Sequence, residues 1–408
     1  MTVPRGGHHV ISRRELLAGA AVAAAGSRVT EFPPPRALPA PRHSLDPWLE
    51  IDSAALAHNV AAVSTMAGGR PIIAVVKNNA YGLGLGTAGP LLAAQERVFG
   101  LGVVRAREAH ALRAAGVRKP VLLMGPATDE DALELARAGV RLAPYAEADR
   151  ARWVRLASRL GRPVAVHLYV DTGMHRMGMP HDRVLPWLED APLRRALRIE
   201  GAFTELTEDQ DFDIEQAGRL RSLADRARAS GVALGRLHAA SSDAIVRPTT
   251  ETFLDLLRPG LALYGGYPSE ESRTRGGLQP TYRLKARVIR LDRLAPGEGV
   301  SYHRRYTASE PTLTATLGIG HVDGYPAGAV KGCEVLIRER LHPVIGTVSA
   351  SHTVVAVAAE SGVEVGDEVT LVGPDRPALH PNEVAARSGW SEYNMFMHLS
   401  PALARRVV

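Results

Sequence analysis

The stretch AVVKNNAYGLG, Ala74 to Gly84, sets Lys77 directly against an apolar run, Pro71 to Val76. The run is short, continuous and rich in β-branched residues, the pattern of a strand buried on both faces. Two asparagines, Tyr81 and alternating glycines follow the lysine. An amine held at the end of such a strand serves as a nucleophile or a proton shuttle. The plain alternative is a lysine that reaches out to solvent. Farther along, other residues able to do chemistry stand in short motifs. They are Arg176 in VDTGMHRMGM, Ser242 in HAASS, Arg258 in RPGLALYG, Tyr302 in GEGVSYHRRYTA and Tyr393 in SEYN. Taken singly, each has a structural explanation: a half-buried tyrosine, a strand-end ion pair, a serine capping a helix.

These residues need elements to hold them. Eight apolar runs recur after residue 70: Pro71–Val76, Val98–Val104, Val121–Met124, Arg141–Pro144, Val164–Val170, Ile199–Leu206, Arg236–Ala240 and Leu256–Tyr264. Most are followed by helical spacing, clearest in REAHALRAAG and DEDALELARAG, each closed by a glycine. Strand and helix alternating eight times predict an α/β fold, a (β/α)8 TIM-type barrel, with a doubly wound open sheet as the alternative. In a barrel the C-terminal strand ends carry the active site, and Lys77 stands at one. From Tyr282 the pattern changes to period two in LKARVIRLDRL, CEVLIRERL and TVVAVAA, broken by turn signals. The expected domains are a barrel over 48–281 and a mostly-β C-terminal domain over 282–408.

The chain has 408 residues, 45% of them hydrophobic and 23% charged, which suits a soluble globular protein of two domains. The net charge of +6 is spread out, with no basic block interleaved with aromatics, so no nucleic-acid partner is expected. Cys333 is the single cysteine, which excludes an intrachain disulfide, and no metal is expected. At the N-terminus, ISRRELLAGAAVAAAGS joins paired arginines, a short apolar stretch and small residues in the order of an export signal. The apolar stretch is too short to span a bilayer stably. Ser12-Arg13-Arg14 resembles a twin-arginine signal, expected over 1–30. A Pro-rich extended linker over 31–47 follows. The expected destination is periplasmic or extracellular, with no membrane contact in the mature form.

The motifs together, in this order, resemble the alanine racemase family of fold-type III enzymes that use pyridoxal 5'-phosphate. The family motif A-V-V-K-A-N-A-Y-G-H-G is matched by AVVKNNAYGLG, and DGYP, Asp323 to Pro326, matches as well. The likeness runs from about Trp48 to the C-terminus. It implies a (β/α)8 barrel plus a C-terminal β domain, with WLEIDSAAL starting in the β domain. It implies that Lys77 forms a Schiff base with the cofactor. Tyr81, Ser242, Tyr393 and backbone amides near Gly260 and Leu261 would hold its phosphate. Arg258 would face the pyridine nitrogen and, as a guanidinium, leave it unprotonated. Arg176 would meet the phenolic oxygen and the substrate carboxylate. Tyr302 of the partner subunit would be the second acid/base, opposite Lys77, in a homodimer with shared sites. The implied activity is interconversion of L- and D-amino acids.

Several positions depart from that pattern. The family histidine after Gly-x-x-Thr is Glu205, which either weakens the catalytic tyrosine as an acid or pairs with Arg258. The lysine that is often carbamylated in the family, and braces the arginine at 176, is Tyr169. A Met-Asp pair is Ala350-Ser351, and the tyrosine at the mouth of the pocket is His321. These changes lie toward the substrate, so the expectation is a racemase or epimerase for alanine or, preferentially, a larger or broader range of amino acids. Two alternatives stand beside it: a pyridoxal-phosphate-binding protein with little turnover, and a fold-type III decarboxylase.

Overall fold

The computed structural model describes residues 44–247, 249–274 and 276–408. The export signal and most of the linker expected from the sequence lie outside the described residues.

Seven strands run parallel in chain order: β2 (Ile72–Val75), β3 (Val98–Val103), β4 (Val121–Leu123), β5 (Val140–Leu142), β6 (Val164–Asp171), β7 (Leu197–Phe203) and β8 (Arg236–His238). An eighth, very short segment closes the ring. Leu256 bridges His238 on one side, and Leu257 bridges Ile72 on the other. Ile73 N–H donates to the Leu257 carbonyl at 2.8 Å, and Val75 N–H to the Pro259 carbonyl at 2.9 Å. Pro259 has no N–H to extend the ladder, and a tight turn over Leu261–Tyr264 follows. The result is the (β/α)8 barrel read from the apolar runs. Every residue of β2 and of β6 is buried, as parallel strands covered on both faces require. Between them the helices form where the sequence caps them. Thr128 accepts from Asp131 N–H to open Asp129–Arg137, three acidic residues fill its first turn, and Gly139 follows at φ +73°.

The second domain is a closed antiparallel sheet. Its strands are β9 (Tyr282–Leu294), β10 (Thr312–Leu317), β11 (Glu334–Ile337), β12 (Arg340–Ile345), β13 (Thr353–Val357) and β14 (Glu368–Val372). They pair in the order β10-β13-β12-β11-β14-β9, and β9 returns to β10. β9 does this with one long strand whose first half pairs with β14 and whose second half pairs with β10. The strand β1 (Trp48–Ile51) lies within the span assigned to the barrel, yet pairs with β9 and, in parallel, with β15 (Ala404–Val407). The chain then enters the barrel through helix Ser53–Met66, opened by the Asp52 carboxylate on Ala55 N–H. Cys333 is free and buried in the second domain.

Candidate active site

After β2 the chain makes one turn, Lys77–Tyr81, with the backbone wound left-handed. Asn78, Asn79, Ala80 and Tyr81 have φ of 54°, 60°, 53° and 52°. Each such non-glycine residue costs about 1–2 kcal/mol, so the turn needs tethers. Asn78 N–H donates to Glu108 Oε1 at 2.7 Å. The other oxygen of this buried carboxylate accepts from Val104 and Arg105 N–H, each at 3.1 Å. Asn79 Oδ1 accepts from Leu85 N–H at 2.8 Å. From the C-terminal strand, Arg405 donates to the Gly82 and Leu83 carbonyls at 2.7 and 3.0 Å. Gly82 has φ +82°, and a Cβ there would stand 2.1 Å from the Phe396 carbonyl oxygen. These contacts fix Lys77, half-buried, at the C-terminal end of the first barrel strand.

Across the closing seam lies a cradle of donors. Gly260 and Ala262 N–H both donate to Ser242 Oγ, at 3.0 and 3.1 Å. Leu261 lies between them, and no bond from its amide to Ser242 accompanies theirs. The Tyr81 hydroxyl lies against Gly260, where a Cβ would come within 2.1 Å of it. The Tyr81 ring stacks on Tyr264 at 4.8 Å, and Tyr264 donates to the Val75 carbonyl. Burial, then Tyr393 and Glu205, raise the Tyr81 phenol far above its ordinary value. Tyr393, partly exposed on helix Glu392–Met397, is pushed up to about 12, by burial first and then by Glu208 and Asp243. Both phenols are therefore hydroxyl donors at neutral pH.

Arg258 is buried. It donates to the Thr204 carbonyl at 2.7 Å, the His238 carbonyl at 2.9 Å and Glu205 Oε1 at 3.1 Å. It also lies 3.1 Å from His238 Nδ1. A guanidinium only donates, so this nitrogen accepts. His238 Nε2 then carries the proton and donates to His167 Nδ1 at 2.8 Å. Burial holds both rings neutral, His167 down to about 4 and His238 well below its ordinary value. Below Arg258, the rings of Tyr169, Phe203 and His238 form a column, with centroids 4.4 and 5.1 Å apart.

Glu205 stands between two arginines. Its Oε2 lies 4.0 Å from Arg176, which is largely exposed. Of the two surroundings expected for Glu205, the pairing with Arg258 is present. Arg176 also lies near the Tyr169 hydroxyl, where its charge opposes the rise that burial imposes on that phenol. The loop that carries it folds back because Asp171 accepts from Gly173 and His175 N–H. Gly178, at φ +109°, leaves the Tyr169 ring room.

Tyr302, His321 and Ala350 form a separate group on the second domain. Tyr302 is 68% exposed, on a loop where Ser301, His303 and Arg304 have positive φ. Thr347 Oγ1 donates to the Tyr302 carbonyl, His321 N–H to the Ser349 carbonyl, and Val322 N–H to the Ala350 carbonyl. The three thus share one exposed face. Among the described residues no group of three or more His, Cys, Asp or Glu could hold a metal.

The sequence reading passed over Glu108, His167, Tyr264 and Arg405. His167 carried a signal, a polar residue inside the apolar run VAVHLYV. Glu108 carried a weaker one, three residues after the N-cap Arg105, where its carboxylate accepts the Arg105 backbone N–H.

Residues 51–268 match the alanine racemase N-terminal domain, and residues 281–407 the alanine racemase C-terminal domain. Alanine racemase of Geobacter sp. strain M21 is 34% identical over 374 residues, 88% of this chain and 97% of that protein. That of Desulfovibrio desulfuricans is 35% identical over 358 residues, 85% of this chain and 94% of that protein. Among solved structures, alanine racemase of Streptomyces coelicolor A3(2) superposes with a TM-score of 0.80 at 29% identity. It covers 90% of this chain and 99% of that one. Alanine racemase of Clostridium difficile 630 gives 0.80 at 26%, covering 90% and 96%.

Proposed function

The chain belongs to the alanine racemase family, and we propose that it is a pyridoxal-phosphate-dependent racemase using Lys77 and Tyr302 of the partner subunit as its two bases. The observation that carries the reading is the placement of Lys77 and the Ser242–Gly260 cradle on either side of the barrel's closing seam. The cradle fits a phosphate: two backbone N–H groups fix Ser242 Oγ, whose own hydroxyl stays free to donate, beside a phenol that keeps its proton. Gly260 keeps that space open, since a Cβ would fill it. Arg258, buried and held by two carbonyls, fits a ring nitrogen that is to stay unprotonated.

The cofactor, when bound, supplies an electron sink that makes the substrate Cα–H acidic. Tyr81, Ser242, Tyr393 and the backbone amides near Gly260 and Leu261 would hold its phosphate, and Lys77 would bond its aldehyde carbon. Arg176 receives the substrate carboxylate and so orients Cα. Lys77 Nζ takes or returns the Cα proton on one face, and the phenol of Tyr302 of the partner subunit does so on the other. The exposure of Tyr302 and Val322 supports a homodimer in which this face meets the second copy's barrel. The small, exposed Ala350 beside His321 supports substrates larger than alanine, read as the ratio of kcat/KM for a longer amino acid over alanine. Ser12-Arg13-Arg14 supports export of the folded chain to the periplasm or medium, where fractionation should find it.

Borohydride reduction of the purified protein followed by peptide mapping should place the pyridoxyl label on Lys77. A label on another lysine, or none, overturns the assignment.

A further inference from the structure

Arg176 lies on a loop, is 61% exposed, and among the described residues has ion-pair contact with one carboxylate, that of Glu205. An exposed, flexible cation is a poor receiver of a carboxylate unless something limits its rotamers, because ordering it on binding costs entropy. Two groups limit it here. The Tyr169 hydroxyl lies close to its guanidinium, and the Tyr169 ring is itself fixed by stacking on Phe203 at 4.4 Å. Glu205 offers the charge. Its backbone carbonyl is held by Gln216 Nε2 at 3.0 Å, and its Oε1 by the buried Arg258 at 3.1 Å, which leaves Oε2 directed at Arg176.

We propose that Glu205 is a positioning residue that acts through Arg176: anchored by Arg258, it holds the Arg176 guanidinium against Tyr169 so that its free N–H groups await the substrate carboxylate. The assignment of Arg176 to that carboxylate rests on the racemase reading; the brace itself does not. A guanidinium has five N–H donors in a fixed fork, so two can be spent on the brace while others remain for the ligand. Arg258 does not depend on Glu205 in the same way, because the Thr204 and His238 carbonyls hold it as well. Loss of the Glu205 charge should therefore release Arg176 and leave Arg258 in place.

The test has two arms. In the first, the cofactor-free chain is treated with phenylglyoxal, and modified arginines are mapped by mass spectrometry, with exposed Arg195 as reference. In Glu205→Gln, Arg176 should react roughly five-fold faster than in the wild type, while Arg258 stays protected. An unchanged Arg176 rate overturns the proposal. Glu205→Asp, which keeps the charge at shorter reach, should fall between the two. If Glu205→Gln does not fold, the aspartate variant reads the brace alone, and a wild-type rate overturns it.

In the second arm, the loaded enzyme is assayed. Glu205→Gln should raise KM for the amino acid roughly five-fold, with kcat within about two-fold and cofactor absorbance unchanged. Adding Tyr169→Phe should raise KM by more than the product of the single effects, because the two tethers hold one group. A fall in kcat with KM unmoved overturns the positioning role. If the protein holds no cofactor or racemises nothing, the racemase reading fails, and the labelling arm still decides the brace.

Discussion

Tyr81 meets three demands at once. Its backbone is left-handed, its ring stacks on Tyr264 and its hydroxyl lies against Gly260. The ring alone would satisfy the stacking, so the hydroxyl is the part with chemistry left to do. Tyr81→Phe keeps the ring and removes one hydrogen bond to a charged phosphate, on the order of 1.5–3 kcal/mol. The dissociation constant for pyridoxal phosphate should rise about 10–100-fold, with little change in the melting temperature of the cofactor-free chain. Titration of that chain, followed by absorbance, reads both the affinity and the stoichiometry; an unchanged affinity removes Tyr81 from the phosphate. Lys77 was legible in sequence because a polar group at an apolar strand end stands out. Tyr81, Ser242 and Arg258 were legible through the motifs that resemble the alanine racemase family. Glu205 was visible as a charge with Arg258 as one expected partner, but its approach to Arg176 was not. That approach depends on the side chains of β7, β8 and the loop after β6 meeting in space.

At the scale of elements, β6 and β8 are separated by β7, yet His167 and His238 touch across it. The register explains this: His167 lies opposite Gly201 on β7. A Cβ at Gly201 would stand 2.5 Å from His167 Nδ1, so only glycine leaves the imidazole a path. The strand pattern was readable because buried parallel strands are continuous apolar runs. The left-handed turn after Lys77 was not readable, because asparagine tolerates that conformation but alanine and tyrosine give no signal for it. The turn exists because Glu108, Arg405 and Phe396, distant in sequence, hold it. The histidine pair has a consequence for stability. Burial lowers His167 from 6.5 to about 4, so between those values the unfolded chain binds a proton that the folded chain does not. Stability should therefore be full above pH 6.5 and fall as pH drops toward 4. The loss from this residue is on the order of 3 kcal/mol. The melting temperature measured across that window should decline less in His167→Gln than in the wild type. Equal declines would assign the effect to carboxylates instead.

At the scale of the whole molecule, the chain builds two closed β structures and divides its chemistry between them. Lys77, Tyr81, Ser242 and Arg258 belong to the barrel, whereas Tyr302, His321 and Ala350 lie on the exposed face of the second domain. Among the described residues no hydrogen bond or ion pair joins the two groups. Backbone strain at Ser301, His303 and Arg304 persists on that face, as expected where surroundings beyond the loop over-determine it. In the proposed twofold dimer each such face would meet the other copy's barrel and complete two sites at once. The division makes a sharp prediction. Lys77→Ala alone and Tyr302→Phe alone should each be nearly inactive, since each removes one of the two bases from every site. Mixed and allowed to exchange subunits, they form hybrids with one intact site, whose lysine comes from one chain and tyrosine from the other. The second site of the hybrid lacks both. Random exchange of equal amounts makes half the dimers hybrid, so activity should recover to about a quarter of the wild type. The measurement is racemase activity against mixing time, with exchange followed independently by mass-tagged subunits. Exchange without recovered activity would place both bases within one chain. The face bearing Tyr302 would then need another partner to account for its exposure.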